Sequence, residues 1–115
     1  MSELVDVVAS QEMCRKLAEL LPEAFSDSVF KWYCDGREWW VVPREFDVFS
    51  EDGFPEYPAV MALEVMEKIA GGFVIRSGKR WKAGVIGNKE LVGLHKNPAM
   101  AAVQLLFKIG KNGML

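Results

Sequence analysis

Few residues in this chain of 115 could do acid–base or nucleophilic chemistry. His95 is the only imidazole, and it stands between Leu94 and Lys96 just ahead of Asn97-Pro98. A general base needs a nucleophile or an orienting carboxylate beside it, and no motif supplies one. The helix start expected after it also disfavours an imidazolium. Ser77-Gly78-Lys79-Arg80 holds a Gly-Lys pair but lacks the G-x-x-x-x-G-K-[ST] spacing that cradles phosphate. Cys14 and Cys34 form no C-x-x-C pair, and one His cannot complete a four-ligand zinc site with them. The expectation is no catalytic residue, no metal and no cofactor.

Two other groups suit binding. Residues 43–57 read as a long loop in which acids (Glu45, Asp47, Glu51, Asp52, Glu56) alternate with Phe46, Phe49, Phe54 and Tyr57. Loops of this length are uncommon in small domains and often functional. The acids miss the EF-hand spacing, so calcium is not indicated. Aromatics between acids suit a protein-docking surface, and Phe46, Phe49, Glu51, Asp52 and Phe54 are its candidate residues. The alternative is that the Phe side chains tuck into the core and the acids face water. Arg76, Lys79, Arg80 and Lys82 cluster around Trp81 and are the candidates for nucleic-acid phosphates. The simpler reading is a solvated turn, because parity puts Trp81 on the Val74 side and the chain as a whole is slightly acidic, unlike most nucleic-acid binders.

The elements that must position these residues follow from periodicity and turn chemistry. Residues 10–21 read as an amphipathic helix with Ser10 as cap and Pro22 as stop, or as one starting at Glu3. Val29–Cys34 and Arg37–Val42 read as strands around Asp35-Gly36, with Trp32 opposite Trp39 and Phe30 opposite Val41. Phe30, Trp32, Cys34, Trp39 and Val41 then share one face. Trp39 and Trp40 point to opposite faces, and an exposed member of the pair would mark an interface. Pro58 suits a first helical position, so 58–70 reads as a helix ended by Gly71, with Ala59, Ala62, Leu63, Met66, Ile69 and Ala70 inward.

Phe73–Arg76 and Arg80–Ile86 read as a second hairpin with Val74, Trp81, Ala83 and Val85 on one face. Leu91–His95 returns from Gly87-Asn88 as a third strand, adding Val92 and Leu94 to that face. Asn97-Pro98 starts a last helix. In Pro98–Ile109 only Gln104 and Lys108 are polar, so most of its circumference must be covered, by the sheet and by a neighbour helix or second subunit. The order α-β-β-α-β-β-(β)-α makes 1–115 a single α+β domain. Its antiparallel sheet is expected to carry helices on both faces, an α-β-α sandwich. Both cysteines are expected in the core.

Tyr57-Pro58, Ala62-Leu63-Glu64-Val65-Met66-Glu67-Lys68, Trp81-Lys82-Ala83 and Asn97-Pro98-Ala99-Met100-Ala101-Ala102 carry a resemblance. The chain resembles the phage ABA sandwich domain group of small bacteriophage proteins across residues 57–109, under half its length. The resemblance implies the sandwich fold and a phage or prophage origin. It implies no established activity, and no functional residue is carried over from it.

The total charge of −2 hides an asymmetry. Residues 1–58 hold 13 acidic and 5 basic side chains, a net of −8, and residues 59–115 hold 3 and 9, a net of +6. The halves either neutralise each other in one fold or form opposite patches. No run reaches the roughly 20 apolar residues of a membrane span. The acidic N-terminus lacks a signal pattern, so a cytoplasmic protein is expected. The expected function is non-enzymatic: a phage-derived protein-binding or regulatory module that self-associates, as a dimer, and binds a host or phage protein. The alternatives are a nucleic-acid-binding accessory protein using hairpin 76–82, or an inhibitor of a host defence protein.

Overall fold

The computed structural model describes residues 7–34, 37–45 and 56–111. Three helices and six strands follow one another as α1 (Gln11–Leu20), β1 (Phe30–Cys34), β2 (Trp39–Pro43), β3 (Tyr57–Ala59), α2 (Ala62–Glu67), β4 (Gly72–Ser77), β5 (Arg80–Val85), β6 (Asn88–His95) and α3 (Pro98–Lys111). The α+β class and the order of elements are those expected. The strands divide into two antiparallel three-stranded sheets, β2-β1-β3 and β4-β5-β6, where an antiparallel sheet covered on both faces was expected. One hydrophobic cluster joins them, running from Val8 and Leu17 through Trp32 and Val65 to Leu105 and Leu106.

Local chemistry sets the helix starts. The Ser10 hydroxyl accepts from the Met13 N–H at 3.3 Å, capping α1. An earlier start is ruled out at Val8–Ala9, where the chain is extended: Val8 bridges to Met61, and the Ala9 N–H donates to the Val60 carbonyl. Asn97 caps α3, its Oδ1 accepting from Ala99 and Met100, while its Nδ2 donates to the Val8 carbonyl across the molecule. The second helix is shorter than expected. Pro58 lies in β3 opposite Lys31, on an edge strand where its missing N–H costs nothing in the ladder, and α2 begins at Ala62. Glu64 fixes that start by accepting from the Met61 N–H at 2.8 Å and from Val29 at the head of β1. The buried side is also turned from the expected one: Val65 is fully buried, and Leu63 and Ala70, expected inward, are exposed.

The first hairpin pairs Cys34 with Trp39, Trp32 with Val41 and Phe30 with Pro43. This is two residues from the expected register, so parity survives and the shared face is the expected one. Trp32 and Val41 are buried on it, and the Trp32 indole donates to the Ala9 carbonyl at 3.1 Å. The opposite face is less covered than expected, with Val29 and Trp40 exposed. Trp40 is thus the more exposed of its pair, while Trp39 stacks on Tyr57 at 5.9 Å. Cys14 is buried, Cys34 is half-buried, and both are free thiols.

The second hairpin has a two-residue turn, Ser77 facing Arg80, with Gly78 at φ +64°. Positive φ at the first central position matches the right-handed strand twist. β5 and β6 then break register between Gly84 and Val85, where Val85 faces Asn88 but Gly84 faces Val92. The odd number of extra residues reverses the parity of β6. Leu91 and Gly93 therefore turn toward the core, and Val92 and Leu94 do not join the Val74 face as expected. Gly93 meets α3 directly: a Cβ there would overlap the Ala101 carbonyl oxygen. Close backbone contact of this kind requires glycine.

Candidate functional site

The two sheets offer three places where function could reside. The first is the basic hairpin. Arg76 stacks its guanidinium 5.7 Å from the Trp81 ring and donates from Nε to the Gly78 carbonyl. Trp81 itself packs against the core, as its parity requires. Lys79 and Arg80 project at the turn and are exposed. Lys82 lies on the opposite face of β5 from Trp81. The structure therefore splits the four candidate cations between the two sides of one sheet.

The second place is the face of β4-β5-β6 turned away from α3. Register aligns Ile75, Lys82 and Leu94 in one row across all three strands. Ile75 is 50% exposed and Leu94 46% exposed. Phe73 closes over Gly84 in the next row, its ring so near that a Gly84 Cβ would lie 2.7 Å from it. Among the described elements, α3 packs on the other side of this sheet. Helical cover of both faces was expected, and this sheet has it on one.

The same contacts correct a reason for self-association. α3 was expected to be covered by the sheet and by a neighbour helix or second subunit; β5 and β6 and the neighbour helix α2 do this within the chain, so no second subunit is called for, and its Ala99, Ala101, Ala102, Val103, Leu105 and Leu106 are buried. Its polar stripe has a use: the Gln104 side chain accepts from the Leu94 N–H, and the Lys108 ammonium donates to the Val92 carbonyl. These bonds occupy edge groups of β6 that would otherwise invite another strand.

Charge follows the two sheets. The ion pairs Lys16–Glu12, Lys31–Glu56 and Arg44–Glu45 all lie in the first half of the chain or at its boundary. Residues 72–111 carry eight basic side chains and one acid, Glu90. Among the described residues no carboxylate pairs with Arg76, Lys79, Arg80, Lys82, Lys89 or Lys96. Among the described residues, then, the halves do not neutralise each other by ion pairing.

Protein-family models, curated proteins and solved structures give no match to this chain.

The third place is a cleft of about 220 Å³ beside β1, bordered by Ser28, Phe30, Lys31, Arg44, Glu56 and Tyr57. Sequence reasoning missed it, because its residues are scattered and match no motif. Among the docking candidates, Phe46, Phe49, Glu51, Asp52 and Phe54 lie outside the described residues. His95 uses Nδ1 to accept from the Asn97 N–H at 3.0 Å, a local turn contact ahead of α3. No group of three or more His, Cys, Asp or Glu among the described residues is placed to hold a metal. No helix among them is long and apolar enough to cross a membrane.

Proposed function

We propose that this chain is a non-enzymatic binding module that self-associates through the open face of β4-β5-β6. The short strings shared with the phage ABA sandwich group add a phage or prophage origin, and action in the host cytoplasm, to this reading. The observation that carries it is the row Ile75–Lys82–Leu94, two exposed aliphatic side chains flanking a cation that has no carboxylate partner among the described residues. Phosphodiester backbones would use the cations and leave Ile75 and Leu94 without a partner. An acidic protein surface bearing apolar groups uses both. A second copy of this chain has that chemistry, since residues 1–58 carry a net −8 and the acid–aromatic run 45–57.

Sedimentation of the purified chain tests this at low and high salt. Concentration-dependent dimers are expected, weakened by salt through screening of the charge contacts, and lost in Leu94→Glu and Ile75→Glu while the fold persists. A monomer at every concentration in low salt would overturn the reading. Copurifying DNA or RNA released steeply by salt would replace it with the nucleic-acid alternative, through Lys79, Arg80 and Lys82.

A further inference from the structure

The second sheet closes one of its edges and leaves the other open. On β6 the Val92 carbonyl and the Leu94 N–H point away from β5, and α3 occupies both, through Lys108 and Gln104. On β4 the outward groups follow from the ladder. The Ile86 N–H donates to the Gly71 carbonyl at 2.9 Å, so Gly71 faces β5, and with a strand period of two so do Phe73, Ile75 and Ser77. Gly72, Val74 and Arg76 therefore direct their N–H and C=O groups outward. The Gly72 N–H is taken by the Ile69 carbonyl at 3.1 Å. Among the described residues nothing takes the outward backbone groups of Val74 and Arg76, and Ile75, Arg76 and Ser77 are exposed. An unpaired run of this kind is a template for another strand.

We propose that this edge takes up an extended peptide of a partner protein as a fourth strand, antiparallel to β4, with an acidic side chain opposite Arg76 and an apolar one opposite Ile75. Val74 and Arg76 each exchange both backbone bonds with the residue facing them. Ile75 then falls in the non-hydrogen-bonded pair, where side chains stand closest, and an apolar neighbour covers an aliphatic chain that is 50% exposed. Charge selects the occupant. Arg76 is held by its stack on Trp81 and by Nε on the Gly78 carbonyl, which leaves its Nη groups as donors. Arg76 and the turn cations Lys79 and Arg80 have no carboxylate partner among the described residues. The β4 of a second copy brings the same cations together, whereas an acidic strand complements them. The contact uses the backbone edge and is distinct from the face proposed for self-association, with Ile75 at their boundary.

The test is a titration of the full chain with the end-blocked peptide Thr-Glu-Val-Thr-Val, followed by amide chemical shifts. In the antiparallel register its Glu falls opposite Arg76 and its first Val opposite Ile75. Saturable shifts centred on residues 73–77 are expected, with slowed hydrogen exchange at the Val74 and Arg76 amides. Replacing the peptide's Glu with Lys should weaken binding roughly fivefold, and Arg76→Glu should reverse that preference. Val74→Pro removes an N–H that the β4–β5 ladder does not use, so the fold should persist while the peptide binds at least about tenfold more weakly. If Val74→Pro does not fold, the charge reversal decides alone. Diffuse or unsaturable shifts would overturn the proposal, as would equal binding of the Lys peptide to the parent or undiminished binding to folded Val74→Pro. Loss of a dimer in Val74→Pro, with no peptide bound by the parent, would overturn it in favour of a second copy at this edge.

Discussion

The two sheets solve the same problem with opposite means. β2-β1-β3 relies on large side chains: Trp32 is buried and hydrogen-bonded, Trp39 stacks on Tyr57, and Lys31 pairs with Glu56. β4-β5-β6 relies on small ones. Gly93 lets α3 lie against the strand backbone, and Ala83, Ala99, Ala101 and Ala102 are fully buried around that contact. The first sheet keeps its cations in ion pairs, and the second leaves most of its own facing solvent. Close backbone packing in the second sheet tolerates no added atom. Side-chain packing in the first can yield by repacking.

That contrast can be broken most sharply at Gly93. Gly93→Ala drives a methyl group into the Ala101 carbonyl and should cost about 3 kcal/mol or more in chemical denaturation. Gly84→Ala, which meets only the movable Phe73 ring, should cost nearer about 1 kcal/mol. If the two cost the same, backbone contact is not what distinguishes the second sheet.

The next effect belongs to the first half. Burial pushes the Cys14 thiol up to about 11, with the Glu64 charge acting the same way and hydrogen bonding with Val60 and Trp32 opposing it. The folded thiol stays protonated where the unfolded one, at about 8.5, has ionised. The unfolded chain then binds fewer protons, so stability is intact below about pH 8.5 and falls as pH rises toward about 11. The loss should reach about 2–3 kcal/mol. Denaturation across that range should show a steeper decline in the parent than in Cys14→Ala, and equal slopes would refute the assignment. Thiol labelling of the native chain should modify half-buried Cys34 well before Cys14.

Asn97 is where the two halves are tied. Asn97→Ala removes the α3 cap and the bond to the Val8 carbonyl, and should cost about 2 kcal/mol. A much smaller loss would mean that the apolar cluster alone joins the halves. The smallest effect is expected at the Glu12–Lys16 pair, where both side chains are at least half exposed. Glu12→Gln should change stability by no more than about 0.5 kcal/mol.

What was legible in the residues was local. Ser10 and Asn97-Pro98 marked helix starts because a cap needs only its own next few N–H groups. Parity on both hairpins held because the side-chain period of two survives any even change in loop length. The first hairpin shifted by two residues and kept its faces. The β5–β6 break shifted by an odd number, and Val92 and Leu94 changed sides. Nothing in Ile86-Gly87-Asn88-Lys89-Glu90 announces that irregularity, because it depends on bringing Gly93 to α3. Likewise, Pro58 suits a helix start and an edge strand equally well, and pairing with β1 decided between them.

The sequence by itself determined the α+β class, the order of elements, the caps and the charge asymmetry, because each depends on neighbours along the chain. The tertiary structure decided which charges meet, which face of the second sheet stays open, and that Ser28 borders a cleft with Lys31, Arg44 and Glu56. These depend on strand register and on side chains distant in sequence. Whether a polar atom is satisfied is a property of its surroundings in space, and one residue of shift in a strand exchanges inside for outside.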